Sequence, residues 1–278
     1  MRALPFSAGQ AVLIAGNTLR EAVRQKIIGL FLGLALALVI GARWFRDFNF
    51  GAPELKFLAD CGLGAMTFFG SALAITATAQ LFFGEIENRT VLTLLARPVR
   101  RSEFVVGKYW GLLVLLGAFC ALLTAVLATV LWWREGELMR DFPAAFATGR
   151  VVNYAGVAVA GFLGWLKLSV LAGFTLLVAS FAQTQLFAVV SGFFILVIGH
   201  LQYLAQEAYG RSEALLARLG GAGLGLLFPN FNLFALADAF VGAELPAWSQ
   251  IARLAIYGFG YLGTTCALAI FSFRHREI

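Results

Sequence analysis

The chain has 278 residues, of which 60% are hydrophobic and only 13% are charged, and its mean hydropathy is +0.84. A soluble domain carries about 25% charged residues, so this composition excludes an ordinary water-soluble protein and indicates an integral membrane protein. The long uncharged runs lack the alternation of barrel strands and have the length of membrane-spanning helices. The net charge of +6 suits anionic membrane lipids, and we predict no nucleic-acid partner.

The N-terminal residues 1–26 are predicted to form an interfacial amphipathic helix. Its charged residues lie toward the end of the segment: Arg20, Glu21, Arg24 and Lys26. Thr18 and Glu21 have the spacing of a capping box, which predicts that a helix starts there. Basic residues on such a helix contact lipid headgroups, but they also fit a positive flank that orients the first span.

Six membrane spans are predicted from the long apolar runs. They cover residues 27–43, 61–84, 108–133, 153–182, 186–204 and 252–273. Residues 205–250 contain another uncharged stretch, but its glycines and the break at Pro229 would leave backbone groups unpaired in lipid. We therefore expect extracytoplasmic re-entrant or interfacial helices there rather than a seventh span.

Lys167 is the one basic residue predicted to lie at membrane depth, in the fourth span. Ionisable residues inside a membrane are candidate functional residues. We favour a Lys167 that snorkels outward or has a structural partner, and the alternative is that it lines a translocation path. His200 is predicted to be an interfacial polar residue near the outer end of the fifth span.

The side of the membrane on which the termini lie is predicted from the basic residues. Six crossings place both termini on one side, and that side carries a small excess of Lys and Arg when the N-terminus is inside. The excess grows once the long segment between the last two spans is discounted. We predict a multi-pass protein of the cell (inner) membrane with both termini in the cytoplasm.

Residues 85–107 form a charged segment between the second and third spans. Acids near its start favour a helix, and Pro98 disfavours helix at the residue before it. Ser102 is predicted to cap the helix that continues into the third span. The charges by themselves also fit ordinary snorkelling residues at a membrane surface.

The spacing E-x-E-N-R-T-x-x-T-L-L-A-R-P-V-x-R-S-E-F-x-x-G-K-Y-x-G in this segment resembles the signature of ABC type-2 permeases. These are the membrane subunits of ATP-driven exporters. The N-T-L-R-E-A-V-R-Q-K and L-F-P-N-F-N-L-F-A-L-A-D segments resemble the same family more weakly, so the resemblance covers essentially the whole chain. It implies an all-α integral membrane protein with six transmembrane helices, an N-terminal interfacial helix, a cytoplasmic coupling helix between spans 2 and 3, and re-entrant helices between spans 5 and 6.

The resemblance also implies an ATPase-coupling site and its partners. The start of the coupling region matches Glu85, Glu87, Arg89 and Thr90, and its exit matches Arg97, Pro98, Arg101, Glu103, Gly107 and Lys108. The implied partners are an ABC ATPase, which binds ATP and Mg²⁺, and a second permease, which is either a copy of this chain or a paralogue.

The chain itself is predicted to be a non-catalytic subunit without a bound cofactor. Gly107-Lys108 is not a P-loop, because Ser102 stands where that motif has its first glycine and Tyr109 replaces the Ser or Thr. The three cysteines show no metal-ligand spacing, and we predict no metal site. We also predict no catalytic residues, since neither paired carboxylates nor a histidine cluster supports a membrane-embedded enzyme.

The predicted function is therefore that of an exporter permease that couples ATP hydrolysis on a separate subunit to substrate movement. The alternative is a stand-alone secondary transporter or channel. That class should contain acids within its spans or half-helices from internal repeats, and the predicted spans contain no acid.

Overall fold

The computed structural model describes residues 8–44, 54–87, 100–146, 149–210, 223, 225, 227–234 and 247–274. The α-helices in these ranges are α1 (Ala8–Val23), α2 (Lys26–Gly41), α3 (Glu54–Glu87), α4 (Arg101–Asp141), α5 (Tyr154–Phe181), α6 (Gln185–Gly210) and α7 (Trp248–Arg274). The described ranges contain no β-strand. Six helices, α2 to α7, are long and apolar enough to cross a membrane, which confirms the all-α fold with six potential spans.

Helix α4 is the longest element, with 41 residues. At 1.5 Å per residue it is about 60 Å long, roughly twice the hydrocarbon thickness of a bilayer. It continues past the expected span end at residue 133 as far as Asp141. Helix α3 likewise begins at Glu54, before the expected span start at residue 61. Both helices can therefore extend beyond the lipid core.

Helix α5 lies at the centre of the bundle and packs on α3, α4, α6 and α7. The Asn153 side chain accepts a hydrogen bond from the Gly156 N–H (3.2 Å) and caps its first turn. The Tyr109 hydroxyl of α4 donates to the Ser169 carbonyl (3.1 Å), and the Trp165 indole N–H donates to the Leu113 carbonyl (2.9 Å). These bonds join α4 and α5 inside the apolar region, where polar groups need protein partners.

The start of α1 differs from the sequence prediction. Thr18 lies inside this helix rather than at its N-cap, and its hydroxyl donates to the Ile14 carbonyl (2.8 Å). The predicted capping box at Thr18 and Glu21 is therefore wrong, because the helix already extends from Ala8. At the other end, Gln25 adopts an extended backbone, so Lys26 is the first residue of α2 rather than part of α1.

The packing of α1 on α4 depends on small residues. The buried face of α1 consists of Ala11, Thr18 and Ala22, and it lies on Gly107 and Gly111 of α4. A Cβ at Gly107 would lie 2.8 Å from the Ala11 carbonyl oxygen. Glycines four residues apart allow two helix backbones to approach closely.

The other end of the bundle is joined by an ion-pair cluster around Arg134, which lies 33 residues, or roughly 50 Å, along α4 from Arg101. Its guanidinium forms two bonds to the Glu54 carboxylate of α3 (2.6 and 3.0 Å) and one to Glu137 (2.7 Å). Arg43, which follows α2, also contacts Glu137 (2.5 Å). The cluster therefore connects α2, α3 and α4.

Glu135 anchors the approach to α5 and is fully buried. Its carboxylate accepts the backbone N–H groups of Val151 (2.7 Å) and Val152 (3.0 Å) and the Tyr154 hydroxyl (2.6 Å). A buried carboxylate is stable when donors surround it in this way. One side chain of α4 thus ties the residues at the start of the next helix to the bundle.

We predict that Gly107→Ala and Gly111→Ala each destabilise the protein by about 1–3 kcal/mol, because the added methyl groups push against the α1 backbone. The measurement is thermal unfolding of the purified protein. Gly136→Ala is the matched control on the same helix: a Cβ there meets nothing within 4 Å, so this variant should be as stable as the wild type or more so.

We also predict that Glu135→Ala lowers the free energy of unfolding by about 2–4 kcal/mol, since three donors lose their acceptor. Glu135→Gln should lose less, about 1 kcal/mol, because its carbonyl oxygen still accepts from the two backbone N–H groups. The exposed Asp141→Asn serves as the control in the same unfolding assay. Equal stability of the Ala and Gln variants would argue against this role of the carboxylate.

Candidate functional site

The helix ends that flank the predicted coupling region meet at one end of the bundle. Helix α3 ends at Glu87 and α4 begins at Arg101. The C-terminal parts of α1 and α7 lie against the start of α4, as the contacts below show. We call this region the junction and define it by Glu21, Phe82, Arg101, Glu103, Phe104, Lys108 and Phe273.

Three buried aromatic rings form the centre of the junction. The rings of Phe104 and Phe273 stack with centroids 5.7 Å apart, and Phe82 lies 5.4 Å from Phe273 and 6.0 Å from Phe104. Each ring belongs to a different helix: α3, α4 or α7. Because such ring pairs add to the stability gained from burial, the three helix ends are held together at this point.

Arg101 and Glu103 fix the first turn of α4. The Arg101 guanidinium donates to the carbonyl oxygens of Arg274 (3.0 Å) and Phe273 (3.4 Å), which are in the last turn of α7. The last carbonyls of a helix in general lack a partner within that helix, and a cation is favourable there. The Glu103 carboxylate accepts the Arg100 N–H (2.9 Å).

The N-cap of α4 is therefore Arg100 rather than the predicted Ser102. Ser102 lies within the first turn, and the Glu103 carboxylate closes the turn by bonding back to the N-cap backbone. An acid at the third helical position performs this role in many helices. The sequence pattern indicated the right segment but assigned the cap to the wrong residue.

Lys108 joins the predicted coupling region to the predicted interfacial helix. Its side chain is only 1% exposed, and its ammonium lies 3.4 Å from the Glu21 carboxylate of α1. Arg20, Arg24 and Lys26 are exposed instead. The structure thus brings together Glu21 and Lys108, which the sequence analysis treated as members of two separate groups.

The remaining coupling residues are only partly described. Glu85 and Glu87 belong to the last turn of α3, which continues beyond the predicted span end at residue 84. The other predicted residues of the coupling region, Arg89, Thr90, Arg97 and Pro98, lie outside the described residues. The described part of the site is therefore its two helical edges.

A second feature is a cavity of about 930 Å³ between α3, α5 and α6, to which α2 also contributes Phe31. It opens at the surface of the bundle, where the lining residue Phe68 is 71% exposed. Its walls are mostly apolar, with Phe68, Phe69 and Phe193 among the lining residues. Polar side chains also line it: Asp60, Thr67, Ser71, Lys167, His200 and Asn232. This volume is within the range of small-molecule sites in proteins.

Lys167 and His200 contact each other at the wall of this cavity. Lys167 is 6% exposed, and its Nζ lies 2.9 Å from the His200 Nε2. The His200 Nδ1 is 2.8 Å from the Leu196 carbonyl oxygen. A carbonyl can only accept, so Nδ1 carries the proton, and Nε2 of the neutral ring accepts a hydrogen bond from the lysine ammonium.

The segment from Pro229 to Phe234 folds against this pair. The buried Phe231 ring lies 5.6 Å from the His200 ring and 5.8 Å from the Lys167 ammonium. The Asn232 side chain donates to the His200 carbonyl (3.0 Å), and the Asn230 N–H donates to the Tyr257 hydroxyl (3.0 Å). The segment therefore holds the Lys167–His200 pair in place from one side.

Lys167 lies at the middle of the 28-residue helix α5 and has a partner inside the bundle, in agreement with the structural partner that was one of the predicted options. His200 was not predicted from the sequence as that partner. A signal was present: Lys167 is 14 residues before the end of α5 and His200 is 15 residues after the start of α6. In two antiparallel helices joined by a short turn, such positions come to the same depth.

A comparison with models of known protein families gives a match. A family model described as ABC-2 family transporter protein matches residues 6–214. No individual curated protein matches the chain. The match covers more than half of the chain and includes α1 to α6, with most of the junction and the Lys167–His200 pair. With its six potential membrane spans, the chain is a multi-pass membrane protein that belongs to the ABC-2 transporter family.

Proposed function

We propose that this chain is the permease subunit of an ATP-driven exporter and that a separate ABC ATPase docks on residues 85–107. ATP and Mg²⁺ bind to that partner, and the permease converts its movement into substrate movement. The observation that supports this proposal best is the junction, where the helices on both sides of the coupling region are fastened to two further helices.

The contacts of the junction suit it to transmit a push. Arg101 connects the start of α4 to the end of α7, and Lys108 connects α4 to α1. Phe82 adds the end of α3 through the aromatic rings. A displacement of the segment between α3 and α4 therefore moves four helices together, and α4 carries it about 60 Å along the bundle.

Each predicted coupling residue has a role in this proposal. Glu85, Glu87, Arg89 and Thr90 contact the ATPase at the start of the segment, and Arg97 and Pro98 end the coupling helix. Arg101, Glu103 and Lys108 transmit its movement into the bundle through the contacts described above. None of these residues is proposed to take part in ATP hydrolysis.

The proposal also places the protein in its membrane. Both termini and the coupling segment face the cytoplasm, and α1 lies at the inner membrane interface. Val12 and Leu13 of α1 are 69% and 74% exposed and would contact lipid, while Arg20 and Arg24 would reach the headgroups. Two permease subunits form the complete transporter, and Lys167 lines the path of the substrate.

We predict that the double charge reversal Glu85→Lys and Glu87→Lys reduces the copurified ATPase activity about tenfold. Two ammonium groups in place of two carboxylates would remove the charge complementarity of the proposed docking surface. The tagged permease is purified from its native membranes, and Mg²⁺-dependent ATP hydrolysis in the preparation is measured together with the amount of associated ATPase. The neutral double variant Glu85→Gln and Glu87→Gln should lose less.

The control for this prediction is Asp141→Lys, which reverses an exposed acid at the opposite end of α4 and should leave the associated ATPase unchanged. Unaltered association and activity in the double charge reversal would remove residues 85–87 from the proposed docking surface. A permease that is purified without any ATPase would favour a stand-alone transporter.

A further inference from the structure

We propose that the cavity between α3, α5 and α6 binds the anionic group of an amphiphile at Lys167, with the apolar part of the ligand against the aromatic wall. This inference rests on the proposed role of the chain as the subunit that carries the substrate. It assigns a chemical class to that substrate: a molecule with a long apolar portion and a carboxylate, phosphate, sulfate or similar anionic group.

The charge of the Lys167–His200 pair is the first argument. The neutral His200 ring accepts from the Lys167 ammonium, so the pair carries one positive charge at mid-helix depth. Among the described residues, no carboxylate forms an ion pair with Lys167. The contacts of Lys167 among the described residues are this neutral imidazole and the Phe231 ring. A buried ammonium in such surroundings is costly to keep charged, and an anion from the cavity would compensate it.

The position of the charged residues along the cavity is the second argument. Gly70 of α3 contacts Leu168 of α5 and Met66 contacts Gly164, so the two helices run in the same direction and Lys167 is level with Phe69. Asp60 lines the same cavity but lies nine residues, or roughly 14 Å, before Phe69 on α3. The region around Lys167 is therefore the positive part of the cavity.

An unpartnered hydroxyl close to that level is the third argument. Ser71 lines the cavity, is 2% exposed, and its Oγ has no hydrogen-bond partner among the described residues. It lies two residues from the level of Lys167 on the neighbouring helix. Buried hydroxyl groups normally have a partner, and an anionic group bound between Lys167 and Ser71 would accept a hydrogen bond from it.

The rest of the lining suits the apolar portion of such a ligand. Phe31, Phe68 and Phe193 come from three different helices and line the cavity with aliphatic neighbours. A volume of about 930 Å³ accommodates an alkyl chain of considerable length in addition to the headgroup. The cavity thus combines a localised positive charge with a long apolar surface, which is the pattern that an anionic amphiphile requires.

The test measures direct binding to the full-length permease in phosphatidylcholine nanodiscs, without an ATPase. The probes are pyrene-labelled decyl chains that end in a sulfonate, an alcohol or a trimethylammonium group. We expect the sulfonate to bind about tenfold more tightly than the alcohol, because the ammonium contributes a charge-assisted bond to the anion alone. Equal affinity for all three probes, or tightest binding of the trimethylammonium chain, overturns the proposal.

Variants assign the preference to the named residues. Lys167→Met should abolish the preference for the sulfonate and leave the affinity for the alcohol unchanged. Lys167→Arg should retain most of the preference for the sulfonate. Ser71→Ala should weaken sulfonate binding about threefold. Arg253→Gln removes an exposed basic residue of α7 outside the cavity and is the matched control. A folded Lys167→Met protein that keeps the full preference contradicts the assignment.

A final arm identifies the source of the anionic group. Nanodiscs that contain phosphatidylglycerol present a competing anionic lipid. Displacement of the sulfonate probe supports a phospholipid headgroup as the natural occupant, and undiminished binding supports an amphiphile other than a phospholipid. Because no ATPase is present, a failure here leaves the docking of the ATPase on residues 85–87 unaffected, and that proposal has its own assay.

Discussion

The close contact between α1 and α4 is the constraint on which the junction depends. Gly107 and Gly111 carry no side chain, so the α1 backbone lies directly on α4. Across this contact, the Glu21 carboxylate lies 3.4 Å from the ammonium of the buried Lys108. The first turns of α4 also contact α3 and α7, so this short part of one helix contacts three other helices.

The charged side chains of this protein have different kinds of partner at the ends of the bundle and in its middle. At the two ends of the bundle, Arg134 and Lys108 face carboxylates, and Arg101 faces the carbonyls that end a helix. In the middle, the contacts of Lys167 among the described residues are with a histidine and an aromatic ring, and no described carboxylate pairs with it. The charges at the two ends are compensated by these partners, and the resulting contacts join the helices. The central charge has no such carboxylate among the described residues, and for this reason we propose a role for it in binding rather than in architecture.

Hydropathy was sufficient to predict the all-α fold and its six potential spans, because the length of an apolar run is fixed by the thickness of the lipid. Local motifs were less reliable. Thr18 and Glu21 match a capping box but lie within a longer helix, and the cap of α4 is Arg100 rather than Ser102. The contact of Lys167 with His200 depends on the rotation of α5 and α6 about their own axes. The pattern of apolar residues in one sequence carries little information about that rotation.

The way in which Lys167 and His200 meet restricts how this sequence can change. Each residue lies about fifteen positions from the turn between α5 and α6, so their common depth is set by counting residues from that turn. One inserted residue between Lys167 and the turn would move the lysine by about 1.5 Å and rotate it by about 100° away from the histidine. Insertions and deletions in this hairpin should therefore be tolerated only as compensating pairs, even where the apolar side chains themselves vary freely.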